Sequence, residues 1–374
     1  MHNFFKDKRV LVTGACGTVG QELVRQLLND YQAAELIGLD NNESELFFLE
    51  QRFLDFNNST FFLADTRDKD KMTRKFRDVD VVFHTAAFKH VILCERSPFD
   101  AVQTNIQGVQ NIVQAALESK VGRVIFTSSD KAVNPTNVMG TSKLMGERLM
   151  TAASSTLRGN GPIFASTRFG NVLGSRGSVI PIFREQIKQG GPITLTDPEM
   201  TRFIMSIRDA VQLVIDSAAQ AMGGEVFVTK MPVIKIKDLA EVMIKELAPS
   251  FGFDPKDVKL ENIGTKPGEK LYEELMTQEE TRRTLELERY FAVCPAFASL
   301  YRHIEYDYKE LINNKITNPY NSANEPVMDK QELKEFLYSN NLLEGEPKED
   351  FHPVQRFWGD EKKVRNEERK ESRD

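Results

Sequence analysis

Arg9-Val-Leu-Val-Thr13-Gly14-Ala-Cys-Gly17-Thr-Val-Gly20 is the stretch that decides the fold. A short apolar run enters three glycines, and Val19, Leu23 and Leu27 then recur at helical spacing. The stretch reads as strand, tight turn and helix. Glycines so placed have separable uses: one allows the turn, one lets a pyrophosphate approach the main chain, and one lets helix and strand pack closely. The helix N-terminus then offers unpaired N–H groups and a partial positive charge to an anion. Gly14, Gly17, Thr18, Val19 and Gly20 are the candidate cofactor contacts. The same pattern also occurs with no ligand, so its weight rests on the strands and helices downstream.

A second apolar strand, Glu35 to Leu39, ends in Asp40, where a carboxylate accepts from an adenosine ribose. Asn41, Asn42 and Glu43 come next with no adjacent arginine for a 2′-phosphate, which predicts NAD rather than NADP. The plainer alternative makes Asp40 the N-cap of a helix from Glu43 to Leu54. A third strand, Thr60 to Ala64, ends in Asp65 and Thr66, and a fourth, Val79 to Phe83, ends near Ala86, Ala87, Lys89 and His90. Strands alternating with helices at this rhythm predict an α/β fold, a Rossmann-type doubly wound parallel sheet, with ligands at the carboxyl ends of the strands. Ala86 and Ala87 leave room there for a dinucleotide, while Lys89 and His90 face the substrate side, although a lone histidine also serves as a structural hydrogen-bonder.

Pro98 to Lys120 reads as one long helix interrupted by the polar Asn105, either a satisfied core amide or a prop for the active-site backbone. A fifth strand, Arg123 to Thr127, delivers Ser128-Ser129-Asp130-Lys131 at its carboxyl end, and Lys143 stands further on at the head of a helix. Taken alone, Asp130-Lys131 would pass for a turn ion pair of little worth. At the end of the fifth strand of a dinucleotide sheet it reads as chemistry.

Composition excludes several classes. With 49 basic and 55 acidic residues and a net charge of -6, nothing steers the chain toward nucleic acid or an anionic membrane. Three scattered cysteines, Cys16, Cys94 and Cys294, fit neither a disulfide framework nor a zinc site. No run approaches the ~20 apolar residues of a spanning helix, and the N-terminus lacks a signal core. A soluble, unprocessed cytoplasmic protein without metal is expected.

Gly14-x-x-Gly17-x-x-Gly20, Lys89-His90, Ser129-Asp130-Lys131-Ala-Val-Asn-Pro-Thr136, Arg168-Phe-Gly-Asn-Val-Leu-Gly-Ser-Arg-Gly-Ser-Val-Ile-Pro181, Met200-Thr-Arg-Phe203 and Lys266-Pro-Gly-Glu-Lys270 together resemble the nucleotide-sugar 4,6-dehydratases of the extended short-chain dehydrogenase/reductase superfamily, in particular those acting on UDP-N-acetylglucosamine in polysaccharide and glycan biosynthesis. The resemblance spans residues 8 to 290. It implies oxidation of C4 by bound NAD, loss of water across C5 and C6, and return of the hydride to C6. Asp130 is then the candidate acid for the leaving C6 hydroxyl. Lys131 is the candidate C5 base, provided that burial and Lys143 lower its pKa. Ser129 stands where similar enzymes carry a threonine near the C4 hydroxyl, and Lys143 would hold the nicotinamide ribose. The usual tyrosine is replaced by Met139, a substrate-side residue with no ionisable group. Methionine there goes with the branch that retains configuration at C5. Epimerase and 5,6-dehydratase readings remain on the same scaffold, as does a dinucleotide sensor that has lost catalysis. The long helix after Pro98 and the helix after Lys143 pair subunits in similar enzymes, which implies a homo-oligomer, a dimer or larger.

In the substrate half, Asn171, Arg176 and Ser178 can donate to a diphosphate, unless these glycine-rich residues merely shape a crossover. Arg202 resembles a family diphosphate contact. Glu269, before a helix expected near Leu271, either accepts from a uridine ribose or sits at an ordinary helix start. Glu225 to Thr229 is expected as the last strand of the first sheet. The domains expected are residues 1–180 with 207–230 for NAD, 181–206 with 231–345 as a smaller α/β substrate domain, and a charged tail at 346–374.

Overall fold

A computed structural model describes residues 4–156, 161–175, 178–265, 268–297 and 304–344. The chain divides into two compact units, Met1–Leu343 and Glu344–Asp374. The fold and the site belong to the first unit; the expected charged tail lies outside the described residues.

Val10, Leu11 and Val12 are wholly buried, as a strand covered on both faces requires. They form β1 (Arg9–Thr13), followed by α1 (Thr18–Asn29), β2 (Glu35–Asp40), α2 (Glu43–Arg52), β3 (Ser59–Leu63), α3 (Lys69–Lys75) and β4 (Val81–His84). A short α4 (Val91–Arg96) precedes α5 (Pro98–Val102) and α6 (Gly108–Ser119), and β5 (Arg123–Thr127), α7 (Val138–Thr156) and β6 (Ile163–Arg168) complete the alternation. The strands stand in the order β3-β2-β1-β4-β5-β6, all parallel. This is the doubly wound order of a dinucleotide fold. The helix expected from Pro98 to Lys120 is present, with one π-helical turn, Gln103–Gln107, joining α5 to α6.

After β7 (Asn171–Val172), α8 (Val179–Lys188), β8 (Ile193–Leu195) and β9 (Thr201–Met205), α9 (Ile207–Gln220) and β10 (Val226–Thr229) return to the sheet beside β6. Contrary to expectation, β10 is not the last strand. After β11 (Val233–Lys235), α10 (Ile236–Leu247), β12 (Leu260–Asn262) and β13 (Glu274–Met276), the strands β14 (Thr284–Leu287), β15 (Tyr290–Val293) and β16 (Leu311–Asn313) add antiparallel to its edge, making ten strands among the described residues. Part of the stretch assigned to the substrate half therefore builds the sheet. The reason is burial: Tyr290, Phe291, Ala292 and Val293 all join the main core.

The helix expected near Leu271 is also absent among the described residues. Residues 274–276 form β13, which pairs with β17 (Tyr320–Asn321). A second core, with Ile180, Phe183, Leu239, Met243, Leu333 and Leu337, packs α8 and α10 against α11 (Lys330–Ser339), whose start is a capping box of Asp329 and Glu332.

Candidate active site

The carboxyl ends of β1, β4, β5 and β6 open onto three adjoining cavities. Gly14 has φ +70°, and a Cβ there would lie 2.6 Å from the Ala86 nitrogen; one on Gly20 would lie 2.1 Å from the Gly14 carbonyl. Both positions therefore require glycine, the first for the turn and the second for close packing of α1. Gly17 caps α1 without any side-chain bond, so its first amides point at the cavity.

One cavity, about 290 Å³, is lined by Gly14, Asp40, Asp65, Thr66, Ala86 and Ala87, and among the described residues no lysine or arginine lines it. Asp40 accepts from the amides of Cys16 (2.9 Å) and Asn42 (3.0 Å), which fixes its carboxylate at the rim. The cap of α2 is Asn42, whose side chain accepts from Glu45 N, so Asp40 is not tied up as an N-cap. Arg67, two residues beyond Asp65, is held by it in a 2.6 Å ion pair, and Asp65 is correspondingly lowered in pKa, chiefly by that arginine's hydrogen bonds.

The main cavity, about 810 Å³, gathers Gly17, Thr18, Val19 and Gly20, then Lys89 and His90, then Ser129, Asp130 and Lys131 with Met139 and Lys143, and finally Asn171 and Ser178. Asn105, in the π-helical turn, accepts from Phe88 N (2.8 Å) and donates to Phe88 O (2.9 Å) and to Ser142 Oγ (2.9 Å). It is both a satisfied core amide and the prop of the loop after β4. Of the glycine-rich substrate residues, Ser178 brings a buried hydroxyl with no partner among the described residues, whereas Arg176 lies outside them.

At the centre, Ser129 Oγ donates to Asp130 Oδ1 across 2.6 Å, and Lys131 Nζ donates to the same oxygen across 3.1 Å. Asp130 is almost wholly buried, and its Oδ2 has no partner among the described residues. Lys143 Nζ donates to Thr127 O at 2.8 Å and stands 4.8 Å from the Phe126 ring. Burial pushes its pKa down to about 8. Beneath it, His84 Nδ1 pairs with Thr13 Oγ1 at 2.7 Å, and burial, then the charge of Lys143, hold the imidazole neutral with a pKa of about 3. Met139 packs with Cys94 and Ala101.

The expected depression of the Lys131 pKa is overturned. Burial lowers it, but the carboxylates of Asp130 and Glu273 outweigh burial and the net shift is upward. Lys143, expected to lower it, is turned to Thr127 instead. Glu273, 3.6 Å from Lys131 Nζ, is the group that reading the sequence missed.

Glu273 lies in the third cavity, about 300 Å³, which shares Lys131 and Asn171 with the main one and adds Arg202 and Glu269. Arg202 donates to the carbonyls of Thr201 (2.7 Å), Lys270 (2.8 Å) and Leu271 (3.2 Å), so its guanidinium is anchored by main chain. Glu269 accepts from Thr196 Oγ1 at 3.3 Å. Below the site, Arg168 bridges Glu147 (2.7 Å) and Glu280 (2.9 Å), tying α7 to the segment before β14.

The profile of a family described as polysaccharide biosynthesis protein matches residues 10–295. An uncharacterized membrane protein of Methanocaldococcus jannaschii is 48% identical over 341 residues, covering 91% of this chain and 98% of its own. Among the described residues, no helix is long and apolar enough to cross a membrane. A UDP-N-acetylglucosamine 4,6-dehydratase (inverting) of Campylobacter jejuni is 34% identical over 346 residues, 91% of this chain and 99% of its own. A UDP-glucose 4-epimerase of Rickettsia canadensis is 35% identical over 350 residues, 92% and 99%. The X-ray structure of Pen from Bacillus thuringiensis superposes with a TM-score of 0.82 at 40% identity, covering 91% of this chain and 99% of that one.

Proposed function

The chain belongs to the polysaccharide biosynthesis protein family, and from that premise we propose that it dehydrates a nucleotide sugar, UDP-N-acetylglucosamine, to the 4-keto-6-deoxy sugar with C5 unchanged. Named relatives at 34% and 35% identity are a nucleotide-sugar dehydratase and an epimerase, so an enzyme of this kind is the common ground. The observation that carries the finer reading is the contact chain Ser129–Asp130–Lys131, with one hydroxyl at 2.6 Å and one ammonium at 3.1 Å from a single buried carboxylate oxygen.

The turn at Gly17 to Gly20 would hold the pyrophosphate of NAD, Asp40 its adenosine ribose and Lys143 its nicotinamide ribose. Bound NAD supplies a reversible hydride acceptor, so the redox balance closes without a second substrate. Managing protons falls to the chain. Oxidation at C4 releases one proton from the hydroxyl, and departure of the C6 hydroxyl as water consumes one. Ser129, placed between the sugar and Asp130, passes the C4 proton to Asp130, and Asp130 gives it to C6. Lys131 takes the C5 proton once the C4 ketone has acidified it. Because the same amine returns a proton to C5, it does so on the face from which one was taken, which retains configuration. Met139 has no proton to offer from elsewhere.

An epimerase moves a hydride at C4 alone and has no use for an acid at C6; a dinucleotide sensor needs neither acid nor base. Incubation with UDP-N-acetylglucosamine followed by mass spectrometry separates these readings. Loss of one water supports the dehydratase; an unchanged mass sinks it. The reading also puts the protein in the cytoplasm and makes it a homo-oligomer.

A further inference from the structure

Lys131 faces a difficulty as a base: it lies between two carboxylates, and both favour the ammonium. Asp130 cannot relieve it, since that carboxylate is already engaged by Ser129 and must carry the C4 proton onward. Glu273 is the other carboxylate at ion-pair distance, its Oε1 3.6 Å from Lys131 Nζ and 3.5 Å from Arg202 Nε. Its Oε2 is buried with no partner among the described residues. Its main chain is clamped to Ser322, which accepts from Glu273 N at 3.0 Å and donates to Glu273 O at 2.9 Å. The charged groups facing it are Asp130 and Lys131 from the turn after β5, Arg202 from β9 and Lys270 from the preceding loop.

On the dehydratase reading, we propose that Glu273 is a positioning residue that accepts the proton of the Lys131 ammonium when the sugar binds, leaving Lys131 as the neutral amine that deprotonates C5. One N–H bond of Lys131 breaks and one O–H bond forms on Glu273; no other reactant is needed, and the proton returns when product leaves. The Lys131 side chain is still 31% exposed. A sugar closing over it removes that water, and a drier pocket favours the acid–amine pair over the ion pair. Burial and the charge of Asp130 already raise the proton affinity of Glu273 in the same direction.

The test compares wild type, Glu273→Gln and Glu273→Asp as NAD-loaded proteins, measuring kcat and KM for water loss from UDP-N-acetylglucosamine across pH. At neutral pH, Glu273→Gln should lose about 100-fold in kcat, with KM within about threefold. Its kcat should recover about tenfold per unit as pH rises, because only solvent can then take the Lys131 proton and the amine fraction grows with pH. Wild type should stay flat over that range, and Glu273→Asp should recover part of the loss. A Glu273→Gln kcat within twofold of wild type, or a loss that pH does not repair and Asp does not rescue, overturns the proposal. A wild type that dehydrates no nucleotide sugar sinks the dehydratase reading, and this proposal with it.

Discussion

Ser129 Oγ donates to Asp130 Oδ1 across 2.6 Å, a path by which a proton from a bound hydroxyl reaches a buried carboxylate in a cavity that no tyrosine lines among the described residues. Ser129→Ala cuts that path and should lower kcat by about 10²–10³. Ser129→Thr keeps the hydroxyl and should stay within about tenfold of wild type. Asp130→Asn should abolish water loss while NAD remains bound. Turnover by mass spectrometry and cofactor content by absorbance read these outcomes; undiminished turnover in Ser129→Ala or Asp130→Asn contradicts the assignment.

Three carboxylates, Asp40, Glu45 and Asp65, line the adenosine-side cavity, and among the described residues no cation does. A 2′-phosphate would meet these carboxylates with no lining cation to offset them. NAD should bind at least about 100-fold more tightly than NADP, a gap of about 2.7 kcal/mol. Asp40→Ser should narrow the gap chiefly by weakening NAD. Fluorescence titration of the cofactor-free protein measures both, and a tighter NADP contradicts the reading of Asp40.

Glu280 titrates far below a free carboxyl. Burial raises its pKa, but the Arg168 guanidinium outweighs burial and holds the carboxyl at about 2, against an ordinary 4.5. A depressed carboxyl contributes stability that is complete above the unfolded value and lost as pH falls from about 4.5 toward 2. Arg168→Met would strand Glu147 and Glu280 in a buried site and should cost about 3–5 kcal/mol. Urea midpoints at neutral pH check this, and an unchanged midpoint would show that the triad is dispensable.

The nucleotide half of this architecture was legible because its signals are local. The glycine turn, Asp40, and the apolar strands through Thr127 each announce themselves within a few residues. What escaped reading depends on partners distant in the chain. Thr284 to Leu287 interleaves Glu286 with apolar residues and gives no hint that it pairs with β15 at the sheet edge. A helix was expected near Leu271, yet the segment is committed to Tyr320 and Ser322 across β17. Lys131 was misjudged for the same reason: its local neighbour Lys143 turns to Thr127, and the distant Glu273 arrives in its place. The Pro98 helix was recognised, but its π-helical turn, which aims Asn105 at Phe88, leaves no mark in the pattern of apolar residues.

Phe99 is 82% exposed, and Ile92, Leu93, Val102 and Met145 on α4, α5 and α7 are also exposed. Leu93 and Ile92 line the site cavities, and Phe99, Val102 and Met145 are where the proposed homo-oligomer would pack. The protein should elute as a dimer or larger, and Phe99→Glu should shift it toward monomer. Light scattering after gel filtration decides; a monomeric wild type contradicts the expected assembly.

Retaining dehydration, with Lys131 acting on one face of C5, is tested most directly by NMR of the product formed from UDP-N-acetylglucosamine in deuterated water. The expected product is a 4-keto-6-deoxy sugar carrying deuterium at C5 with the original configuration. A C5-inverted product, or a sugar that keeps its C6 hydroxyl, would contradict it.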